Sequence, residues 1–123
     1  MTQTMSTLLY EVQRFVLEQN PKNLKVGKET VIQTVCDEYK VQLWEMQQHC
    51  RRKRYVKPRQ IVCFLLRQYT DMSLYEIGKL FYRDHTTTIH SCAKVDDMMR
   101  LYPEYRAEIR KLQSRLNLTK NEE

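Results

Sequence analysis

Glycine is almost absent from this chain. Its 123 residues include two glycines, Gly27 and Gly78, and three prolines. A sandwich or barrel of many short strands needs a much higher density of turn residues, so the sequence predicts an all-α fold. The same count leaves no glycine-rich phosphate loop of the G-x-x-x-x-G-K-[ST] or G-x-G-x-x-G kind, which argues against nucleotide hydrolysis within this chain.

The length and the cysteines limit the class of protein further. A chain of 123 residues is the size of one domain with a single core. No C-x-x-C pair and no secretory leader are present, so free thiols in a reducing compartment are expected. The longest apolar run, residues 61–66, is far shorter than the roughly 20 residues of a membrane span. These observations predict a cytoplasmic protein with no membrane partner.

Positive charge is concentrated in one segment. The net charge is +6, and residues 51–70 contain no acid and seven basic residues, namely Arg51, Arg52, Lys53, Arg54, Lys57, Arg59 and Arg67. A focused basic segment attracts a polyanion and releases its counterions, which is typical of nucleic-acid binding. Such a run alone is more often a solvated, charged surface. The neighbouring sequence therefore has to distinguish this interpretation from nucleic-acid binding.

Apolar residues at helical spacing predict helices over residues 7–18, 29–39 and 43–46. Trp44 falls at a core spacing, as do Tyr69 and Phe81, and packing is the favoured interpretation for all three. Tyr55 differs because it is interleaved with the basic run, where it could stack on a sugar or a base.

A further helix is expected with Pro58 in its first turn, running to Thr70. In that position Lys57, Arg59 and Gln60 would lie beside free backbone N–H groups. This arrangement is suited to phosphate.

Two helices joined by a tight turn are predicted next. Ser73 and Glu76 have the spacing of a capping box, and Asp84 follows a turn at Tyr82 and Arg83 as the N-cap of a helix over residues 85–99. The rotation of 100° per residue places a polar group on the outer side of that helix, formed by Thr87, His90, Ser91 and Lys94.

The start of this second helix has the residues of a DNA-reading surface. Small side chains let a recognition helix approach the bases closely. Thr86 and Thr87 offer hydroxyl and methyl groups to a thymine, and His85 can donate to a purine acceptor. Together with the basic segment, they predict a helix-turn-helix that reads duplex DNA.

Three motifs follow one another in the sequence: Lys57-Pro58-Arg59-Gln60, Ser73-Leu74-x-Glu76-Ile77-Gly78 and Arg83-Asp84-His85-Thr86-Thr87. In this order they resemble the C-terminal, Trp-repressor-like DNA-binding domain of the bacterial replication initiator DnaA. The resemblance covers about residues 31–99. It implies an all-α domain that binds double-stranded DNA at short asymmetric sites called DnaA boxes. It also implies a nucleoid-associated protein of bacterial or mobile-element origin.

The resemblance also assigns contacts. It implies that Asp84, His85, Thr86 and Thr87 read the major groove, that Arg51 enters the minor groove, and that Arg59, Gln60, Arg67 and His90 lie near the phosphate backbone. Charge and position add further phosphate contacts, which are Arg52, Arg54, Lys57, Tyr75, Arg83 and Lys94.

Three features depart from the family pattern. Tyr82 alone fills a turn where the family usually has two small residues, one of them glycine, and a turn shortened in this way can tilt the recognition helix and alter its base preference. Tyr75 replaces the usual proline and would either add a phosphate contact or change an apolar base contact. The ATPase module is missing from this sequence, so a regulator of replication initiation or transcription that binds without that motor is expected.

The segments outside residues 27–101 are not explained by the resemblance. Residues 1–26 are expected to form an amphipathic helix and linker, and residues 102–123 a helix and polar tail. On that last helix an approximate a/d seam is formed by Tyr105, Ile109, Leu112 and Leu116. Either the terminal helices pack on the domain's own core, or they form a homodimer that reads two sites.

No enzymatic chemistry, metal or cofactor is expected. His85 and His90 lie about 140° apart around a helix, and the cysteines lack the close ligand pairs of structural zinc. Buried packing is the favoured interpretation for Cys36, Cys63 and Cys92. The alternative function is a helical module that binds replication or regulatory proteins and has only non-specific affinity for nucleic acid.

Overall fold

The computed structural model describes residues 11, 14–15, 18–20 and 23–122, with side chains up to residue 118. These residues form helices and no strands, which confirms the all-α prediction. The helices from residue 28 onward are α1 (Lys28–Tyr39), α2 (Leu43–Gln47), α3 (Lys53–Tyr69), α4 (Leu74–Leu80), α5 (His85–Leu101) and α6 (Pro103–Glu122).

The predicted helix over residues 7–18 lies mostly outside the described residues. Four residues of this segment are described and helical, namely Glu11, Arg14, Phe15 and Glu18. Phe15 is buried, and the centroid of its ring lies 5.9 Å from that of Phe64. Within the described ranges, no helix combines the length and the hydropathy needed to cross a membrane.

Helix α3 is the centre of the fold. It packs against α1, α2, α4 and α5, and every residue from Ile61 to Leu66 is buried. A helix that is apolar on all sides needs neighbours on all sides, so the short apolar run of the sequence is the place where the other helices meet.

Helix α6 belongs to the same core. Tyr105, Ile109, Leu112 and Leu116 are 0–5% exposed, which confirms the packing interpretation of that helix. The predicted seam is therefore covered by the chain itself, and these four side chains are not free to form a homodimer.

Two predictions about local structure are wrong. Helix α3 begins at Lys53, not near Pro58, because the Arg52 carbonyl already accepts hydrogen bonds from the N–H groups of Tyr55 (3.0 Å) and Val56 (2.9 Å). A proline in a helix interior has no N–H to donate and so removes one hydrogen bond. Pro58 nevertheless lies inside α3 and is buried there. The free N–H groups at the start of α3 therefore lie near Lys53 and not beside residues 57–60.

Trp44 is the second correction, since it is 61% exposed. In the short helix α2 the buried position is taken by Met46, which is fully covered. Residues two apart on a helix point to roughly opposite sides, so burial of Met46 directs Trp44 outward.

Candidate nucleic-acid interface

The turn between α4 and α5 is the geometric centre of the candidate site. Ser73 Oγ accepts a hydrogen bond from the Glu76 N–H (3.1 Å), and Glu76 Oε1 accepts one from the Ser73 N–H (3.2 Å), which confirms the predicted capping box. At the other end of α4 the Gly78 carbonyl accepts from the N–H groups of Phe81 (3.0 Å) and Arg83 (2.9 Å). These bonds fold the chain back on itself within a few residues.

Gly78 allows the turn to close against α4. A Cβ at this position would lie 2.7 Å from the Arg83 carbonyl oxygen and 2.8 Å from that of Asp84. Backbone can approach backbone this closely only where there is no side chain. The start of α5 is therefore fixed by direct contact with α4.

Tyr82 fills the shortened turn in the left-handed conformation, with φ of 56°. Non-glycine residues adopt this region infrequently, and the hydrogen bond from the Tyr82 N–H to the Lys79 carbonyl (3.0 Å) helps to hold it. The side chain is 70% exposed and lies on the surface of the turn.

Asp84 caps α5 as predicted. Its Oδ1 accepts from the Thr87 N–H at 3.2 Å. Hydrogen bonds from the Thr86 side chain and the Thr87 backbone hold the pKa of Asp84 below its ordinary value. The carboxylate is thus charged and committed to the first turn, while His85, Thr86 and Thr87 are each partly exposed beside it.

The remaining length of α5 separates into two faces. His90 and Lys94 are exposed, as predicted. Ser91, also predicted to face outward, is 5% exposed and hydrogen-bonds with the Cys63 thiol. It lies next to Cys92 in the contact between α5 and α3, and the outer face is therefore narrower than the helical pattern indicated.

Arg59 and Arg83 lie close enough to affect each other. Burial, followed by the charge of Arg83, lowers the pKa of Arg59. Arg83 donates to the carbonyls of Phe81 (2.7 Å) and Gln48 (2.9 Å), and Arg59 Nη1 donates to that of Met46 at 3.4 Å.

No carboxylate among the described residues pairs with either guanidinium, and the buried Nε of Arg59 has no hydrogen-bond partner there. An anion bound at this point would offset the repulsion between the two positive charges. Phosphate fits that requirement.

The other basic candidates fall into two groups. Arg51 and Arg52 are exposed at the start of α3 and form no ion pair within the described part of the chain. Arg54 donates to the Lys40 carbonyl (3.3 Å) and Arg67 to the Met72 carbonyl (3.2 Å), so their guanidinium groups are already oriented. Gln60 is partly exposed on α3.

Lys57 occupies a separate cluster. Its Nζ lies 2.8 Å from Glu108 Oε2 and 5.2 and 5.6 Å from the ring centroids of Tyr105 and Tyr39. The same Glu108 oxygen accepts from the Tyr39 hydroxyl at 2.7 Å. The charge of Lys57 is therefore already partnered, and its predicted phosphate contact would compete with this cluster.

Tyr75 and His85 form a contact that the sequence did not reveal. Their ring centroids are 4.2 Å apart and the ring planes are inclined by 26°, which is a stacked arrangement. The two residues are separated by a turn, so helical spacing carries no signal for the pair. The contact exists because the turn brings the first residues of α4 and α5 together.

Comparisons with known proteins match this part of the chain. A family model described as "Bacterial dnaA protein helix-turn-helix" matches residues 28–95, more than half of the sequence. The chromosomal replication initiator protein DnaA of Thermomicrobium roseum is 40% identical over 89 residues, which are 72% of this chain and 19% of that protein.

Other relatives agree with this match. The chromosomal replication initiator protein DnaA of Gloeobacter violaceus is 36% identical over 75% of this chain and 21% of its own length. That of Caldanaerobacter subterraneus subsp. tengcongensis is 30% identical over 94% of this chain and 26% of its own length. The chain thus spans about a fifth to a quarter of the curated relatives that it matches.

Proposed function

Since this chain belongs to the bacterial DnaA helix-turn-helix family, we propose that it binds double-stranded DNA with a preference for DnaA-box-like sites, in a step that needs no nucleotide. DNA binding follows from the family. The sequence preference, and a role in regulating replication initiation or transcription, are the proposed part.

The fixed position of the first turn of α5 is the observation that carries the sequence preference. The close contact at Gly78 and the cap at Asp84 fix the first turn of α5, and small polar side chains near the start of a recognition helix are what base reading requires. In this proposal His85, Thr86 and Thr87 contact base edges in the major groove. Asp84 contributes by holding the helix start in place, and its carboxylate accepts from a cytosine amino group where the cap leaves a lone pair free.

The basic residues position the domain on the backbone. Arg51 enters the adjacent minor groove, where its exposed side chain is free to extend. Phosphates are bound between Arg59 and Arg83 and along the outer surface, by Arg52, Arg54, Gln60, Arg67, His90 and Lys94. Contacts of this kind set affinity and register but carry no sequence information.

The test is fluorescence anisotropy with a labelled duplex that carries a DnaA box, beside a scrambled duplex, across a salt series. We expect the box to bind at least about 10³-fold more tightly at moderate salt. His85→Ala should lower the affinity for the box by about 5- to 150-fold and leave the scrambled duplex almost unchanged. Arg52→Ala should weaken both duplexes alike and reduce the salt slope by about one.

Lys111→Ala is the matched control for loss of a positive charge, because Lys111 lies on α6 and pairs with Glu38. It should change neither affinity. Equal binding to both duplexes would contradict sequence-specific reading and leave only the basic surface active. An absence of binding to either duplex would instead favour the protein-interaction module.

A further inference from the structure

We propose that Tyr75 is a positioning residue that sets the orientation of the His85 ring for base reading. This proposal rests on the proposed function, because it concerns a residue of the same reading surface. Tyr75 is the second residue of α4 and His85 is the first residue of α5. The stack of their rings therefore joins the beginnings of the two helices.

The geometry of the pair supports positioning. With centroids 4.2 Å apart and planes inclined by 26°, the phenol ring covers one face of the imidazole. The nitrogen-bearing edge is what a histidine uses to recognise a base, and stacking restricts the rotation of the ring while leaving its edge accessible. A side chain held in this way loses less conformational entropy when it meets DNA.

The stack on Tyr75 is a specific contact of the His85 ring, and no hydrogen bond within the described residues takes its place. His85 forms no hydrogen bond or ion pair within the described part of the chain, and Asp84 is committed to the cap of the helix. Tyr75 is 61% exposed, so its ring gains little from burial. Its stack on His85 is the contact that distinguishes it from Tyr82, the exposed tyrosine of the neighbouring turn.

A direct phosphate contact by the Tyr75 hydroxyl is the competing explanation, and two substitutions separate the two roles. Tyr75→Phe keeps the ring and removes the hydroxyl. Tyr75→Ala removes both and suits an exposed helical position. Positioning requires that Tyr75→Phe behave like the wild type and that Tyr75→Ala does not.

The first experiment needs no DNA. NMR spectra of the free protein report the His85 ring protons, which a stacked aromatic ring shifts upfield. Tyr75→Ala should move these resonances downfield, and Tyr75→Phe should leave them close to their wild-type positions. Tyr82→Asn is the matched control, since it removes an exposed tyrosine from the turn between α4 and α5 and replaces it with a residue that tolerates φ above zero.

The second experiment is a double-mutant cycle of DNA binding. Single base-pair changes in the box first identify the position at which His85→Ala loses discrimination. Tyr75→Ala should lower discrimination at that same position by about 2- to 12-fold, the range expected for a stacked aromatic pair. In the His85→Ala background it should have no further effect.

The outcomes separate this proposal from the proposed function. Wild-type protein that binds box and scrambled duplexes equally would overturn both. A wild type that discriminates, combined with a Tyr75→Ala loss that persists without His85, would overturn only the positioning role. If Tyr75→Phe and Tyr75→Ala weaken the binding of every duplex equally, the Tyr75 hydroxyl contacts a phosphate and the positioning role is overturned. If the His85 resonances are unchanged in Tyr75→Ala, the two rings do not stack in solution and the proposal is overturned.

Discussion

Replacing Gly78 with alanine tests whether the turn holds the recognition helix by direct backbone contact. The added Cβ would lie 2.7 and 2.8 Å from two carbonyl oxygens, where ordinary contact begins at 3.4 Å. Both oxygens belong to the backbone of the turn, so no flexible side chain can move aside. We expect Gly78→Ala to displace the start of α5.

The magnitude follows from two opposing effects. Alanine is favoured over glycine in a helix interior by about 0.8–1.0 kcal/mol. Overpacking in a tight contact typically costs about 1–3 kcal/mol. The free energy of unfolding should therefore fall by up to about 2 kcal/mol. The displaced helix should also bind the box less tightly while its affinity for scrambled duplex stays almost the same.

Urea denaturation followed by circular dichroism gives the first quantity, and anisotropy with the two duplexes gives the second. The other glycine of the chain supplies the control. A Cβ at Gly27 would meet only side-chain atoms, at 3.6 and 3.9 Å. Because Gly27 is the N-cap of α1, where alanine is less favourable than glycine, Gly27→Ala should lower stability by about 1 kcal/mol but leave DNA binding intact. If Gly78→Ala is more stable than the wild type and keeps its preference for the box, the reasoning about the turn is refuted.

Three further predictions concern the core and its titratable groups. Leu112→Ala should lower the free energy of unfolding by about 2–5 kcal/mol, because this side chain of α6 is fully buried; a loss below 1 kcal/mol in urea denaturation would show that α6 is not part of the core. Burial raises the pKa of Cys63 to about 12 and keeps its thiol from forming a thiolate. An aromatic disulfide reagent at pH 8 should therefore modify the partly exposed Cys50 in native protein and Cys63 only after unfolding; rapid modification of both cysteines in native protein would contradict this. Burial tends to raise the pKa of Glu108, but the hydrogen bonds from Lys57 and Tyr39 outweigh burial and lower the pKa overall. The contribution of the Glu108 carboxylate to stability is therefore present above the ordinary carboxyl pKa and is lost as the pH falls through the lowered value.

The pH prediction is checked by comparing urea denaturation at pH 6 and pH 3 in wild type and Glu108→Gln. The loss of stability between the two pH values should be smaller in the variant. The difference should be at most about 1 kcal/mol, because Lys57 and Glu108 are 36% and 39% exposed. Equal losses in both proteins would mean that the pair contributes nothing to stability.

Much of the helix-turn-helix could be predicted because its signals are local. Ser73 and Asp84 cap their helices through bonds to residues three positions away, and such bonds depend on spacing alone. Local preference failed where a longer-range interaction competed with it. The position of Pro58 favoured a helix start, but α3 extends back to Lys53, and packing of the whole helix outweighs the one hydrogen bond that a proline removes.

The exposure of side chains was harder to predict. Ser91 belongs to the polar face by rotation around α5, yet it is buried because α3 covers that edge. Lys57 belongs to the basic segment by sequence, yet its ammonium group forms an ion pair with Glu108, 51 positions later. The direction of a side chain follows from its helix, whereas what covers it is decided by other helices.

The sequence by itself determined that this chain is all-α, where its capped helices begin and which family it belongs to, because composition, spacing and short-range bonds carry that information. Only the tertiary structure decided that α6 completes the core, that Arg59 and Arg83 lie together and that Tyr75 stacks on His85. Each of these contacts joins residues from different helices or across a turn. Their distances depend on how the helices pack, and no local pattern encodes that packing.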